Sequence, residues 1–519
     1  MNERPGQGVD DESGAGREIE IKFRTDIAGL KQILNSPAFA PPAAVHEQIL
    51  RSYYFDTSLG DLHKQSIALR IRRRGRGGAI LGVKAKRSTS EGPFSRTEIE
   101  VRSPSLRPDL MLFDADTAAE LGRLVEGRPL ELQFETRIRR RTVLLKQGHS
   151  QVELACDDGR IVAGDQSAAL AEVELELKSG EESDLYDLAM TLAGEFPLRL
   201  DFTSKAERGF CVSTGESAPI ARATAIEYGD DATLDDAVVA VISNALAQFV
   251  GNWDALRTTD RASAVHQARV ALRRLRAALK MFQRELSCPQ FAALRTEARR
   301  IASAFGPTRE YDAFLASATK GPLAHADRPT EFEALLAVVE NRRAEAYRDV
   351  RALVDEAETT RFVLEVRNFL ARRAWRNALT GPQLTLLAGP AETFASEALG
   401  RLHARVLKRG KNLAELSDEA RHELRIALKN LRYSAEFFGS LFDDRRRIKR
   451  YVATASALQG LLGAHNDVVS ARRLLDDLPA EMERTSGFIL GWYARQMSLS
   501  DAELIEAWKK FKKADAFWR

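Results

Sequence analysis

Charged side chains occupy every second position in several short segments of the first third of the chain. Alternate residues of a β-strand share one face, so each set would lie on a single surface. Arginine and lysine bind phosphate oxygens, and carboxylates supply the hard oxygen ligands that Mg²⁺ and Mn²⁺ prefer. Such a surface is suited to a polyanion that carries a divalent metal ion. The alternating sets are Glu18, Glu20 and Lys22; Arg70, Arg72 and Arg74; Lys84 and Lys86; Arg96, Glu98 and Glu100; Arg137, Arg139 and Arg141; Glu153 and Asp157; and Glu172, Glu174 and Glu176.

A solvent-exposed sheet face is the more common explanation for any one charged strand. Here, however, nearly every alternate position is fully charged, whereas exposed faces usually mix charges with Thr, Ser and Gln. Like charges such as Arg70, Arg72 and Arg74 also repel one another unless opposite charges lie between them. The pattern as a whole therefore favours a charged surface that faces inward, with apolar outer faces covered by helices.

Antiparallel strands are the elements that would carry this surface. Period-two alternation between turn-forming clusters predicts eight strands and three helices in this half. Eight antiparallel strands can close into a barrel whose interior holds side chains and one small ligand. The predicted fold is thus a β-barrel that is charged inside and apolar outside. The strands are expected near 17–24, 50–56, 67–74, 79–86, 95–102, 135–145, 150–156 and 171–178, and the helices near 26–35, 115–126 and 183–195.

The second half of the chain is predicted to be a helical bundle built from two repeated units. Apolar residues take a helical period from about residue 233, and Gly and Pro divide this half into eight to ten helices. The segment 266–276 reappears at 422–432, and the segment 305–312 reappears at 462–467. Two matched segments in the same order indicate a duplication. Each copy places a histidine and three basic residues on one helix face with few acidic partners, which favours a polyanion site.

Length and composition indicate a multidomain protein, α+β followed by all-α. The chain has 519 residues, a net charge of +3 and three cysteines without metal-ligand spacing. It has no secretory signal and no long apolar run, so we expect a cytoplasmic protein without a membrane partner. It also lacks a Walker-type phosphate loop and a GxSxG elbow, which disfavours those phosphate and acyl chemistries. The expected organisation is a disordered leader (1–16), a strand-rich domain (17–212), a linker (213–229) and a helical domain (230–515).

Four motifs of the first half resemble, in the same order, those of the CYTH superfamily of triphosphate tunnel metalloenzymes. They are the opening Glu-x-Glu-x-Lys, the segments 53–57 and 68–72, and the late Glu-x-Glu-x-Glu. The resemblance covers about residues 17–210 and implies a tunnel in which a metal and basic side chains act on a triphosphate. The implied metal ligands are Glu18, Glu20, Glu172, Glu174 and Glu176. The implied triphosphate ligands are Lys22, Arg70, Arg72, Lys84, Arg96, Arg139 and Lys205, and the expected catalytic residues are Lys22, Glu98, Glu100 and Asp157.

The repeated basic helices of the second half resemble those of the CHAD domain over about residues 230–515. This resemblance implies binding of inorganic polyphosphate through histidine, arginine and lysine. The family's Arg-Asp pair is replaced by Arg309-Glu310 in the first copy and by Asn466-Asp467 in the second. Metal binding by the helical histidines is disfavoured because their neighbours are cationic. The implied polyphosphate ligands are His266, Arg269, Arg273, Arg276, His422, Arg425, Lys429 and Arg432.

The sequence therefore predicts a Mg²⁺- or Mn²⁺-dependent inorganic triphosphatase with a polyphosphate-binding helical domain, cytoplasmic and associated with polyphosphate granules. One alternative is a thiamine or nucleoside triphosphatase, and another is a non-catalytic polyphosphate-binding scaffold. The many carboxylates favour an enzyme over a scaffold, because a tunnel that only binds would not need them. Nucleic acid is a weaker candidate for the basic helices, because few aromatic residues lie among them to stack on bases.

Overall fold

The computed structural model describes residues 16–37, 45–74, 78–86, 95–326 and 329–519. The chain divides into two units, residues 1–218 and residues 219–519. The first is built on an antiparallel sheet and the second is helical. Except for Gly16, the predicted leader lies outside the described residues. Residues 215–232, which overlap the predicted linker, are described and form neither helix nor strand.

The sheet of the first unit has nine strands among the described residues, where the sequence predicts eight. Each predicted strand corresponds to one of the first eight. The ninth has only three residues, so its side chains are too few to show an alternating pattern. The strands are β1 (Gly16–Arg24), β2 (His46–Asp56), β3 (Ile67–Arg74), β4 (Gly78–Lys86), β5 (Ser95–Ser103), β6 (Glu131–Gln147), β7 (Ser150–Ala163), β8 (Gln166–Ser179) and β9 (Arg199–Asp201).

The strands are antiparallel and follow the order β5-β4-β3-β2-β6-β7-β8-β1-β9. β1 therefore lies between β8 and β9. An additional pairing joins β1 at residues 16–19 to β5 at residues 95–98. This contact links two strands that lie far apart in the order of the sheet.

β6, β7 and β8 are longer than the sequence predicts. The sequence Asp157-Asp158-Gly159 is typical of a turn, which is why the prediction ends β7 near residue 156. In the structure β7 runs on through Gly159, which pairs with Ile138 of β6. A Cβ atom at Gly159 would clash with the carbonyl oxygen of Arg137. The glycine therefore permits close approach of two strands and does not mark a turn.

In the described part of this unit five α-helices accompany the sheet, and three of them match the predicted ones. The other two, α2 and α5, are not among the predicted helices. α5 begins with a capping box in which the Ser204 side chain accepts from the backbone of Glu207 and the Glu207 side chain accepts from the backbone of Ser204. That Ser-x-x-Glu spacing is the sequence signal that could have predicted α5. The helices are α1 (Ile27–Leu34), α2 (Asp61–Lys64), α3 (Ala115–Val125), α4 (Glu182–Glu195) and α5 (Lys205–Thr214).

Apolar residues cover the sheet face opposite the charged side chains of β3 and β4. Ile71 lies between Arg70 and Arg72 in sequence, and Leu81 and Val83 flank Gly82. These apolar side chains are buried with Leu121 and Val125 of α3. Burial of one such side chain stabilises the fold by about 1.5–3 kcal/mol. This packing holds the charged side chains of β3 and β4 on the other face.

A second apolar cluster lies on the same face of β6 and β8 as the charged residues. Phe134, Ile138 and Leu170 are buried there with Ala206 and Phe210 of α5. The helix approaches closely, because a Cβ atom at Gly209 would clash with the Phe134 ring. α5 is thereby fixed against this face, with Lys205 as its first residue.

The described part of the second unit contains twelve α-helices, more than the eight to ten predicted. The short helices α7 and α13 account for the difference. The helices are α6 (Leu234–Val250), α7 (Trp253–Thr258), α8 (Ala262–Leu286), α9 (Pro289–Ala304), α10 (Gly306–Lys320), α11 (Glu333–Val354), α12 (Ala357–Ala371), α13 (Gly381–Ala388), α14 (Ala391–Arg409), α15 (Asp418–Phe438), α16 (Arg445–Asp476) and α17 (Glu483–Lys512).

The two sequence segments with the shared pattern lie on α8 and α15 and have similar surroundings. A Cβ atom at Gly306 would lie 3.5 Å from a guanidinium nitrogen of Arg269, and one at Gly463 would lie 3.4 Å from a guanidinium nitrogen of Arg425. The two segments differ beyond this point, because the first glycine begins the new helix α10 whereas α16 continues through Gly463. Pro307 follows the first glycine, and proline favours the first turn of a helix.

The segment Leu234–Thr258, which contains α6 and α7, is long and apolar enough by composition to cross a membrane. In the folded protein, 72% of the most apolar 18-residue stretch of this segment is buried. Asn244 and Gln248 of this segment accept hydrogen bonds from the buried Arg274 of α8. The segment thus has the environment of a core helix of the second unit.

Candidate functional site

Three buried carboxylates on neighbouring strands form the centre of the candidate site in the first unit. Asp157 of β7 pairs in register with Glu172 of β8, and Glu174 follows two residues later on the same face. All three residues are buried. One oxygen from each lies within 4.8 Å of the others, close enough to hold a metal ion. We call Asp157, Glu172 and Glu174 the acidic trio.

Lys205 of α5 contacts all three members of the acidic trio. Its Nζ lies 2.9 Å from Asp157 Oδ2 and 2.6 Å from Glu174 Oε1, and it forms an ion pair with Glu172. The capping box and the packing of α5 on Phe134 position this lysine. A side-chain ammonium is therefore present among the oxygens that could bind a metal.

Three further cations surround the acidic trio. Arg140 Nη2 lies 2.7 Å from Asp157 Oδ2, and the same guanidinium contacts Glu174. Lys22 Nζ lies 3.1 Å from Glu174 Oε1. Arg208 contacts Glu172, and this arginine follows Lys205 by one helical turn. Each carboxylate of the trio thus has at least two cationic partners.

A second group of charges lies on β3, β4 and β5. Arg70 forms ion pairs with Glu98 and Glu100, the latter at 2.8 Å. Lys84 Nζ lies 3.4 Å from Glu98 Oε2 and 3.8 Å from Glu20 Oε2. Glu20 lies 3.4 Å from Lys22, which contacts the acidic trio. The two groups are therefore parts of one continuous charged network.

The network keeps Asp157, Glu174 and Glu98 ionised. Burial alone would raise the pKa of Asp157 and of Glu174, but Lys205 and the other nearby cations outweigh it and lower both pKa values. Burial alone would also raise the pKa of Glu98, but Arg70 and Lys84 outweigh it and lower this pKa. Burial next to Arg70 lowers the pKa of Arg72 to about 10. At neutral pH Asp157, Glu174 and Glu98 therefore carry negative charge, which the neighbouring cations stabilise.

The structure brings most of the predicted tunnel residues into this network, but not all. Glu176 lies apart from the acidic trio and pairs with Lys178 at 2.8 Å. The side chains of Glu18 and Arg96 lie outside the described residues. The predicted residues that the network contains are Glu20, Lys22, Arg70, Arg72, Lys84, Glu98, Glu100, Asp157, Glu172, Glu174 and Lys205.

The expected role of Arg139 as a triphosphate ligand needs correction, because its side chain lies on the opposite face of β6 from the network. Its side chain is 52% exposed, and its Nε lies 4.0 Å from Glu47. Arg140 takes the place in the network that the family resemblance implies for Arg139. The alternation of Arg137, Arg139 and Arg141 identifies a shared face but does not say which face points inward. Arg140 lies between Ile138 and Thr142 on its own face, so nothing in its pattern announces a charged site.

The basic face of α8 extends onto α9 and α10. Arg273 and Arg276 of α8 are joined there by Arg295 and Arg299 of α9 and by Arg309 of α10. Burial and the neighbouring Arg299, Arg273 and Arg295 lower the pKa of Arg276. The sequence identifies the residues on α8, but it does not identify those on α9, which enter through the packing of α8 on α9.

The arginines of this face have no acidic partner in the part of the chain that the structure describes. Within the described ranges, no carboxylate oxygen lies within 4.0 Å of their guanidinium nitrogens. Burial next to Arg273 lowers the pKa of Arg269 to about 10, and Arg269 donates to the carbonyl of Ala302 at 3.0 Å. We call Arg273, Arg276, Arg295, Arg299 and Arg309 the arginine face.

On α15, one of the corresponding residues has a neutralising carboxylate partner. Arg432 forms an ion pair with Glu436 and donates to Gln459 at 2.9 Å. Glu423 on the same helix pairs with Arg409 at 2.5 Å. Arg425 lies beside Gly463, and His422 is exposed. The side chains of Asn466 and Asp467 lie outside the described residues.

Comparison with known proteins finds a different family model that matches each half of the chain. The CYTH domain model matches residues 16–210, and the CHAD domain model matches residues 240–476. The inorganic triphosphatase of Haemophilus influenzae is 31% identical over 170 residues, which are 32% of this chain and 46% of that protein. The chain thus spans about half the length of that relative.

Two solved structures are similar to parts of the chain. The CHAD domain from the plant Ricinus communis is 28% identical, with a TM-score of 0.49, over 57% of this chain and 97% of that one. A Hippeastrum protein described as a putative adenylyl cyclase with a dominant triphosphatase activity is 15% identical, with a TM-score of 0.27, over 39% of this chain and 97% of that one.

Proposed function

Because the chain carries a CYTH domain and a CHAD domain, we propose that its first unit hydrolyses inorganic triphosphate to diphosphate and phosphate. In this proposal the second unit binds inorganic polyphosphate. The observation that carries the first part is the acidic trio, buried on one sheet face and surrounded by Lys22, Arg140, Lys205 and Arg208. Cations bind phosphate oxygens and carboxylates bind metal, so this site has both halves of the required chemistry.

The charged face would line a tunnel if the sheet closes on itself. The pairing of residues 16–19 with residues 95–98 supports closure, because it would complete a ring of the first eight strands. β9 would then lie beside β1 as a short extension. An eight-stranded barrel leaves room for side chains and one small ligand, which suits a triphosphate.

The acidic trio has the chemistry to hold Mg²⁺ or Mn²⁺. Its three carboxylates offer hard oxygens at suitable separation, and the pKa values of Asp157 and Glu174 are held below their ordinary values. A bound divalent cation would neutralise charge that develops on the transferring phosphoryl group. The pairing of Glu176 with Lys178, outside the acidic trio, makes it a weaker candidate ligand.

The residues of β3, β4 and β5 would bind the phosphates and accept the proton of the attacking water. Arg70, Arg72 and Lys84 can bind non-bridging oxygens, and this binding stabilises the charge of the transition state. When phosphate takes over the charge of Arg70, Glu98 and Glu100 lose a partner. Either carboxylate could then orient the attacking water and accept its proton.

Thiamine and nucleoside triphosphates are weaker candidates than inorganic triphosphate. Both carry a ring that needs an apolar or aromatic surface. Near the charged face, the ring of Tyr54 stacks on that of Phe134 at 4.5 Å, and Phe210 packs edge-on against Phe134 at 5.2 Å. These rings therefore pack against one another, which disfavours their use as a platform for a substrate ring.

The proposed polyphosphate site of the second unit is the arginine face. Five guanidinium groups without carboxylate partners among the described residues would gain charge-assisted hydrogen bonds from a chain of phosphates. The similar surroundings of Gly306 and Gly463 support descent of α8 and α15 from one repeated unit. α15 would supply a second, weaker site.

Phosphate release from inorganic triphosphate, ATP and thiamine triphosphate tests the enzymatic part. We expect turnover with Mg²⁺ or Mn²⁺, selectivity for inorganic triphosphate and loss of activity with excess chelator. Arg140→Gln should abolish turnover, whereas the matched control Arg139→Gln should leave it unchanged because Arg139 lies on the other face. No turnover on any of the three substrates would instead support the non-catalytic scaffold.

A further inference from the structure

We propose that Lys205 is a built-in cation that occupies the metal position of the acidic trio, so that a divalent ion enters only together with triphosphate. The inference rests on the proposed function, since it assigns an order of binding to the same site. It concerns the side chain of Lys205, for which the family resemblance implies only a role as a phosphate ligand.

The position of Lys205 makes it a competitor of a metal ion for the carboxylates of the acidic trio. The three carboxylates that could chelate a divalent ion are the same three that Lys205 contacts. A metal ion and an ammonium cannot both sit among oxygens that lie within 4.8 Å of one another. Metal binding to the trio therefore requires Lys205 to leave.

The charge balance opposes entry of a metal on its own. The three carboxylates of the trio already contact Lys22, Arg140, Lys205 and Arg208. A divalent ion would add positive charge to a site whose negative charge is already compensated. A triphosphate brings several negative charges and accepts the ammonium that the metal displaces. The two ligands should therefore bind cooperatively, and by linkage each must strengthen the other to the same degree.

Lys205 is well placed to change partners. It is the first residue of α5, so its flexible stem can swing without unwinding the helix. Glu172 Oε1 contacts the ammonium but accepts no hydrogen bond of normal geometry, although it is buried. That contact is one that a metal ligand bond could replace at low cost.

Titration with Mn²⁺, followed by electron paramagnetic resonance of the free ion, tests the inference without any turnover. The full-length protein is titrated with and without imidotriphosphate, whose bridging nitrogens resist hydrolysis, and the Mn²⁺ that the analogue chelates in protein-free solution is subtracted. Wild type should bind Mn²⁺ weakly alone and at least about tenfold more tightly with the analogue. Lys205→Met should bind Mn²⁺ about tenfold more tightly than wild type without the analogue.

Three variants locate the effect. Lys205→Arg keeps the charge and should not tighten Mn²⁺ binding. Lys178→Met removes a lysine that contacts Glu153 and Glu176 outside the trio, and it should not tighten binding either. Glu172→Gln combined with Lys205→Met should lose the gain. Thermal unfolding of each variant establishes that it is folded.

The inference is overturned if wild type binds Mn²⁺ tightly without the analogue, if Lys205→Met gives no gain in a folded protein, or if Lys178→Met gives the same gain. The wild-type titration decides the question even where Lys205→Met does not fold. Phosphate release is measured separately. Absence of turnover with the expected Mn²⁺ binding would contradict the proposed hydrolysis alone, and turnover with independent binding of metal and analogue would contradict this inference alone.

Discussion

The two cationic surfaces of this protein differ in how their charge is balanced. In the first unit, Lys22, Arg140 and Lys205 all contact carboxylates of the acidic trio. In the second unit, Arg273 and Arg276 have no carboxylate within 4.0 Å among the described residues. Paired cations must exchange partners before they bind phosphate, whereas unpaired cations gain partners at once.

This difference in charge pairing predicts a selective ligand site in the first unit and a less selective phosphate-binding surface in the second. A site whose charges are already paired binds tightly only a ligand that offers partners to both its cations and its carboxylates, such as a metal-bound triphosphate. A face of unpaired arginines binds any chain of phosphates, with affinity that falls steeply as salt is added. The first arrangement is typical of a catalytic site and the second of a surface that holds a polymer.

The largest expected effect is on turnover. Glu174→Gln should lower kcat by about a thousandfold or more, because it removes a charge that orients both metal and cations. Polyphosphate binding, measured by fluorescence polarisation with a labelled chain, should not change. Glu47→Gln is the control, because Glu47 pairs with Arg141 on the other face of the sheet. Equal losses from both variants would contradict the assignment of the site.

A tenfold effect is expected on polyphosphate binding. Arg276 and Arg432 occupy matched positions on α8 and α15. Arg432 is paired with Glu436, whereas Arg276 has no carboxylate partner among the described residues. Arg276→Ala should therefore weaken binding about tenfold, and Arg432→Ala clearly less. Phosphate release from triphosphate should be the same in both variants. A larger loss from Arg432→Ala would show that α15 carries the principal site.

The fold of the first unit could be predicted because its signal is local. Alternation places Ile21 and Phe23 on one face of β1, and both are fully buried. The strand lengths were less accessible, since Gly159 permits two strands to approach closely and only the partner strand shows this. β9 was missed because three residues cannot establish a period.

The candidate site was predictable only in part, because alternation does not say which face points inward. The motif residues Glu172, Glu174 and Lys205 come together as the resemblance implies. Arg140, by contrast, needs the register of β6 with β7, in which it lies opposite Asp157. The arginines of α9 likewise depend on how two helices pack, which no single segment encodes.

A smaller effect is expected on stability in acid. Because Arg70 and Lys84 lower the pKa of Glu98 in the folded protein, this group stabilises the fold above its ordinary pKa of about 4.5, and the contribution is lost as pH falls through the lowered value. Glu98→Gln should be less stable than wild type at pH 7. The difference should narrow as pH falls from about 5 to 3, because the protonated glutamate also lacks charge. Thermal unfolding across this range measures the gap, and a constant gap would mean that the charge of Glu98 does not contribute.

The smallest expected effect concerns protons taken up with polyphosphate. Partial desolvation and the neighbouring Arg309, Arg273 and Arg269 lower the pKa of His266 below its ordinary value. A bound polyanion would offset those arginines and favour protonation of the imidazole. Because the complex then holds more protons than the free protein, polyphosphate affinity should rise a few-fold as pH falls from about 7 to 5. His266→Gln should remove much of this rise, whereas His325→Gln, a histidine bonded to the carbonyl of Gly321, should not. An unchanged pH dependence in His266→Gln would place the ligand away from this end of α8.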